Sequence, residues 1–384
     1  MSTAPPITNA PSDDRVPGYG RARLWVGITA VGAIVTLATG ALVSGLPAAV
    51  DKLVSPGLGS TLLALAAYAA SHAAIQLPFD LFGGYLLPVW YGRSGHGRRT
   101  FLGRLLRGVV VYAGVVFVCL VALLAGGRLG NVWGVVAAGA VLSFLLLWRR
   151  MTVARSFARL GVESSADPLS DLVVSSDDEG FTGGVLGVVR PRLIVIPARW
   201  QSSLTPAQLA YVRLRRQLAG TSGTWRRGRA LALAFTLLGI GLSAAMVGPD
   251  RLGTAGGTVE LSLWFTLWSF VGLLILPTVS RRGVAELDTY AHSAGVSETL
   301  AKATARALDA HQDDEPQRPA LVETIFHPIP SVQNRDEATA RHILGAWDAA
   351  RTAVYLGLAG GGLLGRAVHC NCGRPALWAF LPVD

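Results

Sequence analysis

The residue types best able to do chemistry are few in this chain, and their spacing suits it poorly. None of its seven histidines lies four residues from another, so no H-x-x-x-H can hold a zinc ion on one helix face. His369-Cys370-Asn371-Cys372 gathers three metal-binding side chains in four residues. A structural zinc site needs four ligands, usually from two separated pairs, and no second pair exists. His369, Cys370 and Cys372 are therefore weak metal candidates, and the thiols are read as packing groups at a membrane edge. Asp80, between Phe79 and Leu81, is either an intramembrane functional acid or, as favoured, half of an interfacial ion pair with the basic loop that follows it. His72, inside a long apolar run, is expected to be a satisfied hydrogen-bonding group. Ser175–Glu179 is an acidic turn, most simply solvated, with the arginines of a later helix as alternative partners. No Ser/His/Asp order, G-x-S-x-G or P-loop is present. Three cysteines cannot build a disulfide framework.

The elements that must position these groups are dominated by hydrocarbon. Six stretches of about twenty residues or more lack any Asp, Glu, Lys or Arg: Leu24–Val50, Leu53–Phe79, Gly108–Gly127, Leu129–Trp148, Ala230–Pro249 and Leu261–Ser280. A helix needs about 20 apolar residues to cross the roughly 30 Å hydrocarbon core of a bilayer. Charged residues make up only 15% of the chain and hydrophobic ones 51%, as expected of a polytopic membrane protein. The first run is too long for a cleaved signal peptide and is expected to be a retained anchor.

The formal net charge of +10 is a topology signal. Arg93, Arg98, Arg99, Arg104 and Arg107 follow the second run, and Arg149, Arg150, Arg155 and Arg159 follow the fourth. Arg226, Arg227 and Arg229 precede the fifth, and Arg281 and Arg282 follow the sixth, whereas the alternate loops are poor in basic residues. Positive charge accumulates on the cytoplasmic side, which puts the N-terminus and the main polar blocks there, in a plasma or bacterial inner membrane. No nucleic-acid-binding motif accompanies the charge, so no nucleic-acid partner is expected. The expected organisation is a polar tail (1–23), a four-span region (24–148), a first cytoplasmic part (149–229), two further spans (230–280), a second cytoplasmic part (281–351), and a short apolar segment with a tail (352–384). Thr352–Gly365 is short for a crossing; a seventh span, a re-entrant piece and a helix lying against the bundle all remain open. Gly357, Gly361 and Gly365 would share one helix face and allow close packing.

Within the first cytoplasmic part, glycines lead into the β-branched run Leu193–Ile196 between prolines, predicting a short strand pair over Gly180–Pro197. Thr205 caps and Pro206 opens a predicted helix over about 207–220.

This order of parts resembles the integral-membrane zinc metallopeptidases that include the CAAX prenyl-protein endopeptidases and the heat-shock membrane endopeptidases. The matching pieces are Leu204-Thr205-Pro206-Ala207-Gln208-Leu209, then Ser280-Arg281-Arg282-Gly283-Val284-Ala285-Glu286-Leu287-Asp288, then His327-Pro328-Ile329-Pro330 and Arg335. Pro78-Phe79-Asp80 with Gly83-Gly84-Tyr85 resembles the seven-span branch. The resemblance implies a zinc ion held by H-E-x-x-H and a distal Glu. Those slots here hold Arg215, Arg216, Ala219 and Val284, while Asp288, His327 and Arg335 match the family. Guanidinium has no lone pair for a metal and stays protonated. Glu286 does not substitute, because a two-residue offset turns it to another helix face.

The expected fold is a membrane all-α polytopic bundle of six to seven spans with a small cytoplasmic α+β metallopeptidase-like domain. Zinc, the family's cofactor, is expected to be lost, which makes enzymatic activity doubtful. The favoured function is a pseudopeptidase that binds or regulates, in contact with the lipid bilayer and receiving a peptide or protein partner in the old cleft. The alternatives are an active hydrolase built on non-standard residues such as His327 and Asp288, and a transporter-like or lipid-handling bundle.

Overall fold

The structure, a computed structural model, describes residues 18–55, 57–93, 97–163, 171–335 and 344–383. Most of the expected N-terminal tail, and parts of both polar blocks, lie outside them. The chain opens on α1 (Tyr19–Val43), which takes in the end of the segment assigned to the tail. Gly45, at φ +71°, then ends the expected first span early, and the short helix α2 (Leu46–Leu53) follows. Helix α3 (Leu58–Leu81) continues through one π-helical turn (Phe82–Leu86) into α4 (Leu87–Trp90).

Helix α5 (Arg98–Trp148) holds both the third and fourth expected spans. Its 51 residues break at Gly130 and Asn131, where Asn131 takes φ +50°. A Cβ added at Gly126 would lie 2.4 Å from the Gly134 carbonyl oxygen and 3.0 Å from the Ala138 Cβ. In one straight helix, residues 126 and 138 would stand about 18 Å apart. The chain therefore reverses at Asn131, and its two arms touch through glycine backbone.

Next come α6 (Arg150–Phe157) and a four-stranded sheet of β1 (Gly161–Glu163), β2 (Leu172–Ser175), β3 (Gly184–Leu186) and β4 (Leu193–Pro197). The order is β1-β2-β4-β3, with β2 parallel to β4 and the other pairs antiparallel. The expected strand pair is β3–β4, paired Val185 to Ile194. Strands β1 and β2, three and four residues long, are too short to carry a periodic signal. Helices α7 (Trp200–Ser203), α8 (Pro206–Thr221), α9 (Thr224–Val247), α10 (Ala255–Ser293), α11 (Glu298–His311), α12 (Ala320–Phe326) and α13 (Ala349–Leu356) complete the fold. Among the described residues, five helical runs are long and apolar enough to cross a membrane: α1, α3 through α4, α5, α9 and α10. The protein is a multi-pass membrane protein.

The C-terminal segment departs most from expectation. Residues 345–383 are almost entirely buried and thread the centre of the bundle. Helix α13 stops at Leu356, a 3-10 turn follows, and Gly361 adopts φ +69°, so Gly357, Gly361 and Gly365 do not share a helix face. Hydrogen bonds tie the segment to every neighbour: Ser262 Oγ donates to the Gly361 carbonyl (2.6 Å), Tyr355 Oη to Leu146 (2.9 Å), Arg150 Nε to Ala379 (2.7 Å) and Arg23 to His369 (3.0 Å). Backbone this irregular survives inside a bundle only where the protein satisfies its polar groups. Gly84 makes room for it: a Cβ there would meet the Gly373 carbonyl oxygen at 2.4 Å.

Candidate functional site

Helix α8 begins with a full capping box, in which Thr205 Oγ1 accepts from the Gln208 amide and the Gln208 side chain accepts from the Thr205 amide. That cap fixes the rotation of the helix that carries the slot residues. Arg215 and Ala219 lie one turn apart on it, and Val284 and Asp288 lie one turn apart on α10. The two helices meet in two rungs. In the first, Arg215 Nε stands 2.9 Å from Asp288 Oδ1, with both side chains buried. Tyr211 Oη donates to the same carboxyl at 3.3 Å, and Arg335 approaches it at 3.9 Å. In the second, Ala219 and Val284 belong to one apolar cluster with Val185, Trp225, Leu287, Trp347 and Val383. Trp347 and Val383 come from the C-terminal segment and are joined by a hydrogen bond from Trp347 Nε1 to the Val383 carbonyl (3.2 Å).

Arg216 turns toward the sheet. It donates to the carbonyls of Val195 (2.5 Å) and Thr182 (2.7 Å), and its guanidinium lies 5.2 Å from the Trp200 ring centre. None of the four slots offers a lone pair to a metal, and a cation there would face a guanidinium already matched to a carboxylate. The residues present do not fit zinc. Glu286 points away, as its offset requires, and binds Arg227 (2.7 Å) and the Gly345 amide (2.8 Å).

The family-matching residues separate. Arg335 joins Asp288, whereas His327 faces His369 and Asp313. One ligand atom from each of these three lies within 4.8 Å of the others, and the imidazole centres are 5.1 Å apart. Nε2 of both histidines is buried with no hydrogen-bond partner. Burial, reinforced by the Arg318 charge, holds His327 well below the ordinary imidazole range, and burial pushes His369 down to about 3. Two neutral imidazoles and a carboxylate are a recognised ligand set for divalent metals. Against this, Asp313 already faces Arg318 at 3.5 Å and Arg23 at 3.7 Å, and these charges oppose a dication. His369 also parts from its sequence neighbours. Cys370 Sγ lies 3.1 Å from Arg351 Nη1, and Cys372 Sγ donates to Ala367 and packs beside Ala30. The cysteines do not share a site with His369, and both are interior groups. Asp313 carried no sequence signal, because its partners are far along the chain.

Two other expectations are corrected, at Asp80 and at the acidic turn, and in both the C-terminal segment supplies a partner. Asp80 pairs with fully buried Arg366, not with the basic loop, and also accepts from the Gly373 amide (2.8 Å). Asp178, in the turn read as solvated, pairs with Arg374; burial raises its carboxyl, but the guanidinium outweighs this and holds it below the usual range. Arg104, from α5, takes Asp177 (3.0 Å). His72 is satisfied as expected, through the Leu363 carbonyl (2.9 Å).

No protein-family model matches the chain, and no curated protein matches it. A solved structure does. The fold is similar to that of Ste24p from S. mikatae. The match covers 84% of this chain and 86% of that one, with a TM-score of 0.68 and 12% sequence identity. This chain therefore has a Ste24p-like fold over most of its length.

Proposed function

We propose that the protein is a pseudopeptidase, a metallopeptidase-like membrane scaffold whose catalytic centre has been replaced by an ion pair and an apolar plug. The observation that carries this reading is the pair of rungs at the α8–α10 crossing. Arg215–Asp288 and Ala219–Val284 stand at the slots where the resemblance implies metal ligands, and Trp347 and Val383 fill the space beside them. A binding or regulatory role follows, and a peptide or protein partner at the old cleft must first displace Trp347 and Val383. The two arms of α5 make six spans, with α13 and the following turns buried among them, and the arginine distribution favours the polar blocks on the cytoplasmic side of a cell membrane.

Metal analysis of the purified protein tests this. The wild type is expected to carry no stoichiometric zinc. The triple change R215H, R216E and A219H is expected to leave zinc binding weak, because Val284 supplies no third ligand, and addition of V284E is expected to raise it. Tight zinc in the triple variant would show that the slots are misassigned.

A second reading, a hydrolase with a relocated metal centre, is favoured by one observation: the unpartnered Nε2 atoms of His327 and His369 beside Asp313. Stoichiometric zinc in the wild type, lost in H327A, would establish it over the first. The transporter-like alternative loses support, because Asp80 and His72 both bind the C-terminal segment.

A further inference from the structure

A cavity of about 480 Å³ lies at the Arg98 end of α5, bounded also by the π-helical turn after α3, the Phe157–Arg159 bend, the Ser176–Glu179 turn and Gly373–Ala376. Six arginines line it: Arg93, Arg99, Arg104, Arg107, Arg159 and Arg374. Three are matched, Arg93 by Asp314 (2.5 Å), Arg104 by Asp177 (3.0 Å) and Arg374 by Asp178. Arg99, Arg107 and Arg159 have no ion pair or hydrogen bond among the described residues. Against these three charges, Glu179 is the one acid on the wall without an ion pair among the described residues. Thr100, Ser176, His311 and Gln312 add neutral polar groups to the wall, and the part-exposed Tyr85, Phe101 and Pro375, with the Tyr85 ring stacked on Phe101, form a surface that hydrocarbon can cover.

Position narrows the ligand. Arg107 is the last charge before the uncharged run that starts at Gly108, so the cavity sits where the hydrocarbon ends. Beside it, Trp90, Leu106 and Val110 expose 66%, 63% and 62% of their surface, as lipid-facing side chains do. The planar donor fork of an unmatched guanidinium suits the several acceptor oxygens of a phosphate group. We propose that this cavity binds the phosphate headgroup of an anionic membrane lipid, with Arg99, Arg107 and Arg159 on the phosphate and Tyr85, Phe101 and Pro375 against the adjoining acyl chain. The site is independent of the pseudopeptidase reading.

The test measures binding of short-chain phosphatidic acid, phosphatidylcholine and inorganic phosphate to the full-length protein in detergent, by titration calorimetry and native mass spectrometry. Phosphatidic acid is expected to bind at least tenfold more tightly than phosphatidylcholine, to weaken as salt is raised, and to lose that preference in R99A/R107A/R159A. An unchanged melting transition checks that the triple variant folds. Equal affinity for the two lipids, or an unaltered preference in a folded triple variant, overturns the proposal. Inorganic phosphate that binds as tightly as phosphatidic acid also overturns it, and assigns the arginines to a soluble phosphate compound. If the triple variant does not fold, R107Q and R159Q singly must each reduce the preference at least threefold for the proposal to stand.

Discussion

At the α8–α10 crossing, Arg215 is buried against Asp288, Arg216 is held by two carbonyls and a tryptophan ring, and the space alongside is filled by Trp347 and Val383. At the end of α5, Arg99, Arg107 and Arg159 line an open cavity and meet no counter-charge among the described residues. The same side chain thus serves two purposes. In the interior a guanidinium is structural when a carboxylate or carbonyl oxygen matches its charge, because an unmatched buried charge costs several kcal/mol, on the order of 3–5 when one partner of a pair is removed. At the boundary an unmatched guanidinium is cheap and remains available to a ligand. Arginines counted from composition cannot be sorted into these two groups; their partners sort them.

The sharpest way to break this contrast is at Arg366, the most deeply buried arginine to have a single carboxylate partner, Asp80. R366A is expected to lower unfolding stability by about 3–5 kcal/mol, as the loss of one member of a buried pair does, read by thermal or denaturant unfolding in detergent. Replacing both, as D80L/R366M, should cost less than R366A alone. Equal loss would show that Arg366 acts through its packing on Tyr112 and Trp378. Next in size is W347A at the filled crossing, expected to cost about 3–4 kcal/mol through the cavity it leaves. A much smaller loss would mean that the C-terminal segment sits loosely there and that the cleft opens readily.

A smaller effect comes from acid. His327 and His369 are neutral in the fold, with pKa values pushed below the ordinary imidazole range by burial, among Asp313, Arg23, Arg318 and Arg351. The unfolded chain therefore binds more protons than the folded one below about pH 6.5, so stability present at neutral pH is lost as pH falls through that value, by up to about 1.4 kcal/mol per unit per histidine. H369N should flatten the slope of melting temperature between pH 6.5 and 5, and an unchanged slope would place the titration elsewhere. Least of all, R107A and R159A should each change stability by no more than about 0.5 kcal/mol, as unpaired surface charges do. A loss of 2 kcal/mol or more would make them structural and erase the contrast.

Sequence spacing determined much of this protein. Long uncharged runs must be buried in hydrocarbon, and helices are the elements that satisfy their own backbone there, so the bundle was legible without coordinates. The Thr205–Pro206 start of α8 and the β3–β4 pair were legible for a similar reason, since caps and turn residues act on the nearest few positions. The chemistry of Arg215, Arg216, Ala219 and Val284 was equally plain, because a guanidinium or an alkyl group lacks a lone pair wherever it sits. Only the tertiary structure decided what surrounds them. Asp80 with Arg366, Asp178 with Arg374, and Asp313 with His369 are pairs whose members lie hundreds or tens of residues apart. The C-terminal segment that supplies the second member of each has no periodicity to announce it. Its course through the bundle is fixed by glycines that admit backbone and by polar groups that must find partners away from water, and both conditions exist only once the helices have assembled around it.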